Sequence, residues 1–397
     1  MARRTILLLG GLLAAAGLAL AGAHAQARGA DGGKEMAMPS RPTLAVSAVF
    51  DGAGRLWLAR VENGTLLVSH SDDGGQNFSA PVAVNPAPEN IGAEGENRPK
   101  IAVAGNGTIH LSWTLLLPQP YTGEVRYSRS TDGGRTFSVP VTLNDDGRLS
   151  SHRFDSLIVD GGGRLAVVWL DGRDRDAARE KGEKFSGVSL YAARSDDDGA
   201  HFRRNEKITA HTCECCRTAL AWTKDGPVAL WRNLYGTNVR DFALAKLDGG
   251  EVRRLADDDW AIDACPHHGG GLAGGADGVL HAVWYTQGKN RQGLFYRRIE
   301  GDTLSAPMAF GNAQAQAGHA TVAAAGDKAL IAWREFDGNA YGAMVLQSGD
   351  NGKSWGAARR IATTEGAADY PLPLIHNGRA HVLWNTRHHG VRVIALD

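Results

Sequence analysis

The chain has 397 residues, 51 of them glycine and 14 proline, a composition that suits an all-β protein rich in tight turns. Its 43 basic residues balance 43 acidic ones. That balance argues against the broad basic surface of a nucleic-acid binder and any global attraction to anionic membranes, so a charged ligand must be held by a local cluster.

In chain order, a leader comes first. Arg3 and Arg4 precede an apolar run from Ile6 to Ala21, and Ala23-His24-Ala25 offers a small-x-small cleavage site. Residues 1–25 are expected to be a secretory signal cleaved near Ala25, giving a periplasmic or secreted protein by Sec or twin-arginine export. Residues 26–40 are read as an N-terminal segment and 41–397 as the folded domain. No later stretch reaches the ~18 apolar residues of a membrane span, so a monomer with no membrane span is expected.

Seven apolar strand pairs follow, from PTLAVSAVFDGAGRLWLAR at 42–60 to PLPLIHNGRAHVLWNT at 371–386. Each has a glycine-containing turn and a second strand that reaches a tryptophan: Trp57, Trp113, Trp169, Trp231, Trp284, Trp333 and Trp384. One such unit per roughly 50 residues is the mark of a propeller, each blade a four-stranded sheet. A second motif runs in phase with the first. Ser71–Phe78, Ser130–Phe137, Ser195–Phe202 and Ser348–Trp355 all read Ser-x-Asp-x-Gly-x-x-aromatic. Ser and Asp can cap backbone amides, Gly can take φ > 0 and the aromatic can bury against the blade.

These four turns are Asp-boxes, and with the tryptophan repeat the chain resembles the sialidase superfamily of β-propellers over about residues 40–397. The resemblance implies an all-β propeller. The strand pairs favour seven blades over the six of sialidases, with Lys34–Ser40 supplying the closing strand of the last blade.

In a propeller, residues just before each first strand and just after each tryptophan share one face. Counting back from the tryptophans puts Arg41, Asn97, Arg98, Arg153, Asp155, Cys215, Cys216, Arg217, His267, His268, His319, Asp369 and Tyr370 on that rim. Arg41, Arg98, Arg153, Arg217, Arg232, His319 and Asp369 are candidate ligand-binding residues. The resemblance implies arginines that hold a carboxylate, a tyrosine nucleophile and an aspartic general acid. Tyr370 fits the tyrosine, and Asp171, Asp174 and Asp176 compete for the acid. The family's glutamate is missing: its place falls on Cys216, and a thiol cannot act as that base.

All four cysteines lie in two segments, His211–Cys216 and Cys265–His268, which open adjacent blades. Cys213, Cys215, Cys216, Cys265, His267 and His268 could hold copper or zinc. The alternative is disulfide bonding, usual in exported chains, although pairs among Cys213, Cys215 and Cys216 would close small, strained rings. The sequence therefore supports a rim that binds a metal or small anionic ligand, or else a glycoside hydrolase acting on a glycan.

Overall fold

Each repeat becomes one meander of antiparallel strands in the computed structural model, which describes residues 43–396. The first runs through Ser47–Phe50, Leu56–Glu62, Thr65–Ser71 and Val82–Ala83. The same strand order recurs in the sheets beginning at Lys100, Gly271 and Gly318. The meanders beginning at His152 and Ala219 join into one sheet through a single pairing of Thr212 with Asn233. The last meander contributes Leu372–His376, Arg379–Thr386 and Gly390–Leu396. The expected closing strand at Lys34–Ser40 lies outside the described residues, as do the leader and Arg41.

The first strands form a ring. Ser47–Phe50 packs beside Lys100–Val103, and the series continues through His152–Val159, Ala219–Thr223, Gly271–Gly274, Gly318–Ala325 and Leu372–His376, which returns to Ser47–Phe50. This is the arrangement of a β-propeller, and ring closure removes the exposed sheet edge that would otherwise invite association. Among the described residues, no helix is long and apolar enough to cross a membrane.

Second strands are covered on both faces by neighbouring meanders, so they read as apolar runs rather than alternations. In Leu165–Asp171 every residue is buried. The tryptophan near the end of each such strand finds a partner for its indole N–H, as a buried donor must. Trp169 donates to Asp171 at 2.7 Å, Trp231 to Asn233 at 3.0 Å and Trp333 to Glu335 at 2.9 Å.

Trp57 does not belong to this series. It pairs with Val49 and His70 near the opposite end of its strand and donates to Asp51 at 2.9 Å. Aligning Gly54-Arg55-Leu56 with Gly163-Arg164-Leu165 puts Arg60 at the tryptophan position, so the regular spacing from Trp57 to Trp113 is coincidental.

The register separates the two faces. In the third meander Leu165 pairs with Val159 and Ser195 at one end, and Asp171 pairs with His152 and Ser189 at the other. The Ser-x-Asp turns therefore lie at the end away from the starts of the first strands. They share one bonding pattern. Ser71 donates to Asp73 at 2.7 Å and accepts from the Gly75 amide at 2.8 Å, while the amides of Gln76 and Asn77 reach Asp73 at 3.0 and 2.9 Å. Gly134, at φ +78°, leaves no room for a side chain, since a Cβ there would stand 2.7 Å from Trp57 of the preceding meander. The terminal aromatics also reach the preceding meander: Phe202 meets Tyr127 and Trp355 meets Tyr296 edge-on at 4.8 and 4.7 Å.

These turns make stability depend on acid. Hydrogen bonds from Asn77 hold the Asp73 carboxyl at about 2, and hydrogen bonds from Ser354 hold Asp350 at about 2. A carboxyl whose folded value is depressed contributes stability that is present above its unfolded value and lost as pH falls through the folded one. Urea midpoints are expected to hold steady from pH 7 to 5 and to fall between about pH 4 and 2. An Asp73→Asn, Asp350→Asn double variant should show a shallower fall; an identical acid profile would show that the turns do not contribute.

Candidate ligand site at the channel mouth

The starts of several first strands surround a cavity of about 700 Å³. Its lining includes Glu96, Arg153, His267, His319, Arg334 and Tyr370. Three lining residues, Phe154, His267 and His319, hold φ at 59°, 51° and 55°. Non-glycine residues in this left-handed region are strained, and such strain collects at binding and catalytic sites. A second cavity of about 480 Å³, at the other end of the sheets, gathers exposed loop residues such as Lys224, Asp225 and Asp302 and has no comparable cluster.

Glu96 is the organising carboxylate. It sits in a tight turn closed by backbone bonds of 2.8 and 3.0 Å between Glu94 and Asn97, with Gly95 at φ +53°. Arg217 donates to it at 2.6 Å, His319 Nδ1 lies at 2.9 Å and the Gly269 amide donates at 2.5 Å. Burial alone would raise this carboxyl, but Arg217 and His319 outweigh it and hold Glu96 well below the usual carboxylate range. Glu96 thus ties three other meanders to the second. It directly precedes Asn97 and Arg98 yet was not among the expected rim residues. A buried carboxylate thus stands beside Arg217, the residue directly after Cys216.

Asp369 forms a buried, two-pronged ion pair with Arg98 at 2.7 and 2.9 Å, linking the last meander to the second. Tyr370 follows directly. The Arg98 guanidinium lies 3.8 Å and that of Arg217 4.8 Å from its ring centroid, and His319 stacks parallel to it at 5.6 Å. Burial raises the Tyr370 phenol above its usual value, against the pull of Arg217 and Arg98. Among the described residues its hydroxyl makes no hydrogen bond, to Glu96 or to any other carboxylate. His268 stacks between Tyr285 and His319 at 4.1 and 4.5 Å, and burial pulls it down to about 3, so it is neutral at physiological pH.

Arg153 and Arg334 are different. Both line the cavity, and among the described residues neither forms an ion pair with a carboxylate. Arg153 has a buried Nε without a partner, and Arg334 donates only to the Ala368 carbonyl at 2.6 Å. Burial lowers the pKa of both, although a guanidinium stays charged. Glu94, also in the lining, acts electrostatically on Arg153.

Several expected site residues serve the scaffold instead. Arg232 lies inside its sheet and donates to the carbonyls of Arg240, His268 and Tyr285, each at 2.8 Å. Arg98 and Arg217 do not line the cavity themselves; they stand behind it, paired with Asp369 and Glu96 and packed against the Tyr370 ring. Asp171, Asp174 and Asp176 do not line the cavity. Asp171 holds Trp169 and Arg173, Asp174 binds Ser189 at 2.6 Å and Lys207 at 2.8 Å, and Asp176 binds Ser150 and Arg175. The loop they share folds as a helix, Arg173–Glu180, pinned by these bonds.

On the same rim, Cys213, Cys215 and Cys216 converge with Sγ–Sγ distances of 3.8 Å from Cys213 to Cys215 and 3.9 Å from Cys213 to Cys216. Their placement follows from the backbone: Cys213 comes directly after the strand Glu206–Thr212, its amide held by the Arg232 carbonyl at 2.9 Å. Cys215 also groups with Cys265 and His267, whereas His268 belongs to neither set. Contacts with Cys215 and Cys216, aided by Arg232 and Arg240, hold the Cys213 thiol well below its usual range, while burial pushes Cys216 up to about 12.

No protein-family model matches the chain, and no curated protein is similar to it in sequence. Solved structures do superpose. An ulvan lyase, a polysaccharide lyase solved bound to -[GlcA(1-4)Rha3S]-, gives a TM-score of 0.54 at 10% identity, covering 88% of this chain and 90% of its own. An α-L-arabinofuranosidase from Fusarium graminearum, in complex with an iminosugar inhibitor, gives 0.53 at 14%, covering 77% and 92%. An α-L-arabinanase from Penicillium chrysogenum complexed with arabinobiose gives 0.52 at 13%, covering 78% and 94%. At such identities the likeness speaks for architecture alone, and that architecture is the β-propeller.

Proposed function

We propose that this chain is an exported, seven-bladed propeller whose channel mouth binds a small anionic ligand, with a thiol cluster on the same rim that takes a metal. One observation carries the anion reading: Arg153 and Arg334 line a cavity of about 700 Å³ and, among the described residues, neither closes an ion pair with a carboxylate, although Glu94 acts on Arg153 from the same lining. A partly buried, unpaired cation is costly, and an incoming anion relieves that cost while gaining charge-assisted hydrogen bonds. Glu96 and Asp369 do not compete for the role of counter-ion, because His319 and Arg217 occupy the first and Arg98 the second. The solved neighbours carry sugars, so an acidic glycan is the favoured class. Calorimetric titration with uronic-acid sugars and their neutral counterparts tests this: only the acidic series should bind. Equal affinity for both, or none for either, would retire the reading.

Glycoside cleavage is the second reading, favoured by the position of Tyr370 in the cavity lining. It requires product release from an acidic or neutral glycoside panel and loss of that release in Tyr370→Phe. The unpartnered hydroxyl of Tyr370 and its raised pKa favour binding over nucleophilic attack.

A further inference from the structure

We infer that Cys213, Cys215, Cys216 and Cys265 form a four-thiolate site for a closed-shell, thiophilic cation of the zinc(II) and copper(I) class. This deepens the metal half of the proposed function and rests on the reading of the thiol cluster as a binding site. The spacing carries it. A tetrahedral ion with metal–sulfur bonds of about 2.3 Å has sulfur–sulfur edges of about 3.8 Å. Cys213 stands 3.8 Å from Cys215 and 3.9 Å from Cys216, so two edges already have the bonding length, and all three sulfurs lie within 4.8 Å of one another. The fourth lies on the solvent side. Cys265, exposed, falls within 4.8 Å of Cys215 together with His267 but outside the group that Cys213 and Cys216 form with Cys215, so it closes the fourth vertex by a small inward shift as the ion binds.

The surroundings match an anionic complex. Thiolates around such an ion carry net negative charge, which neighbouring donors and cations must balance. Arg240 Nη1 lies 3.1 Å from the Cys213 sulfur, and Arg232 adds its charge nearby. The three inner thiols are buried, which keeps water from competing, while Cys265 and His267 leave an entry path from solvent. Cys213, Cys215 and Cys216 are too close in sequence to oxidise among themselves without strain. His267 also lines the ligand cavity, so the metal site and the cavity meet at one residue.

The test uses the full chain, reduced and freed of metal, titrated separately with zinc(II) alone and with copper(I) delivered as its bicinchoninate complex. One equivalent of either per chain is expected. Cys216→Ser should weaken zinc binding by about a hundredfold or more. Cys265→Ser, at an exposed position where folding is not at risk, should weaken zinc by at least about tenfold, since zinc needs its fourth ligand, while a three-coordinate copper(I) ion is held. No uptake after reduction, or a native Cys215–Cys265 disulfide that persists as the working state, would overturn the assignment. Zinc affinity unchanged in Cys265→Ser would overturn the four-thiolate set. Titration of the metal-free protein with acidic sugars is scored separately, so loss of one activity does not mask the other.

Discussion

Replacing Arg153 and Arg334 together with alanine is expected to weaken binding of acidic sugars by at least about a hundredfold. Each guanidinium supplies charge-assisted hydrogen bonds worth ~1.5–3 kcal/mol where water is excluded, and every 1.4 kcal/mol is about tenfold in affinity. The fold should survive. Among the described residues neither side chain closes an ion pair, and the Arg334 bond to Ala368 is the one hydrogen bond from these two guanidiniums that would be lost. The urea midpoint of the double variant should therefore stay close to that of the parent while calorimetric heats vanish. A double variant that binds as well as the parent would place the ligand elsewhere.

Glu96→Ala has the opposite signature. It strips Arg217 and His319 of their carboxylate and leaves the Gly269 amide without an acceptor. Removing one member of a buried pair leaves an uncompensated charge and costs roughly 3–5 kcal/mol. Chemical denaturation should register a loss of that order, because Glu96 ties its meander to those carrying Arg217, Gly269 and His319. Glu96→Gln keeps the shape and part of the hydrogen bonding and should cost less. A neutral effect of Glu96→Ala would show that the ring does not depend on this junction.

The propeller was legible in the sequence because two motifs recur in phase, and their local physics does not depend on distant partners. A Ser-x-Asp-x-Gly turn satisfies its own amides, and a covered second strand reads as an unbroken apolar run. Trp57 marks the limit of that reading: a tryptophan at the right spacing entered the series, although its register puts it near the other end of the strand. The site was legible in outline only. Arg153, His319, Asp369 and Tyr370 do reach the cavity lining, since their places at or just before the starts of first strands follow from propeller topology. Which arginines stay unpaired does not follow. Glu96 and Arg217 come from meanders far apart in the chain, and one sequence gives no sign that they meet. Arg232 sits directly after its tryptophan, yet its guanidinium is spent on three carbonyls inside the wall. Asp171 was read as an acid, but a buried indole two residues earlier needed it as an acceptor.

A crystal structure of the protein grown with a uronic-acid oligosaccharide would show directly whether the channel mouth holds an acidic sugar. The sugar carboxylate is expected in the channel-mouth cavity, within hydrogen-bond distance of Arg153 and Arg334, with Tyr370 and His319 along the ring. A sugar seated away from this cavity, or both arginines found paired with carboxylates of the chain itself, would contradict it.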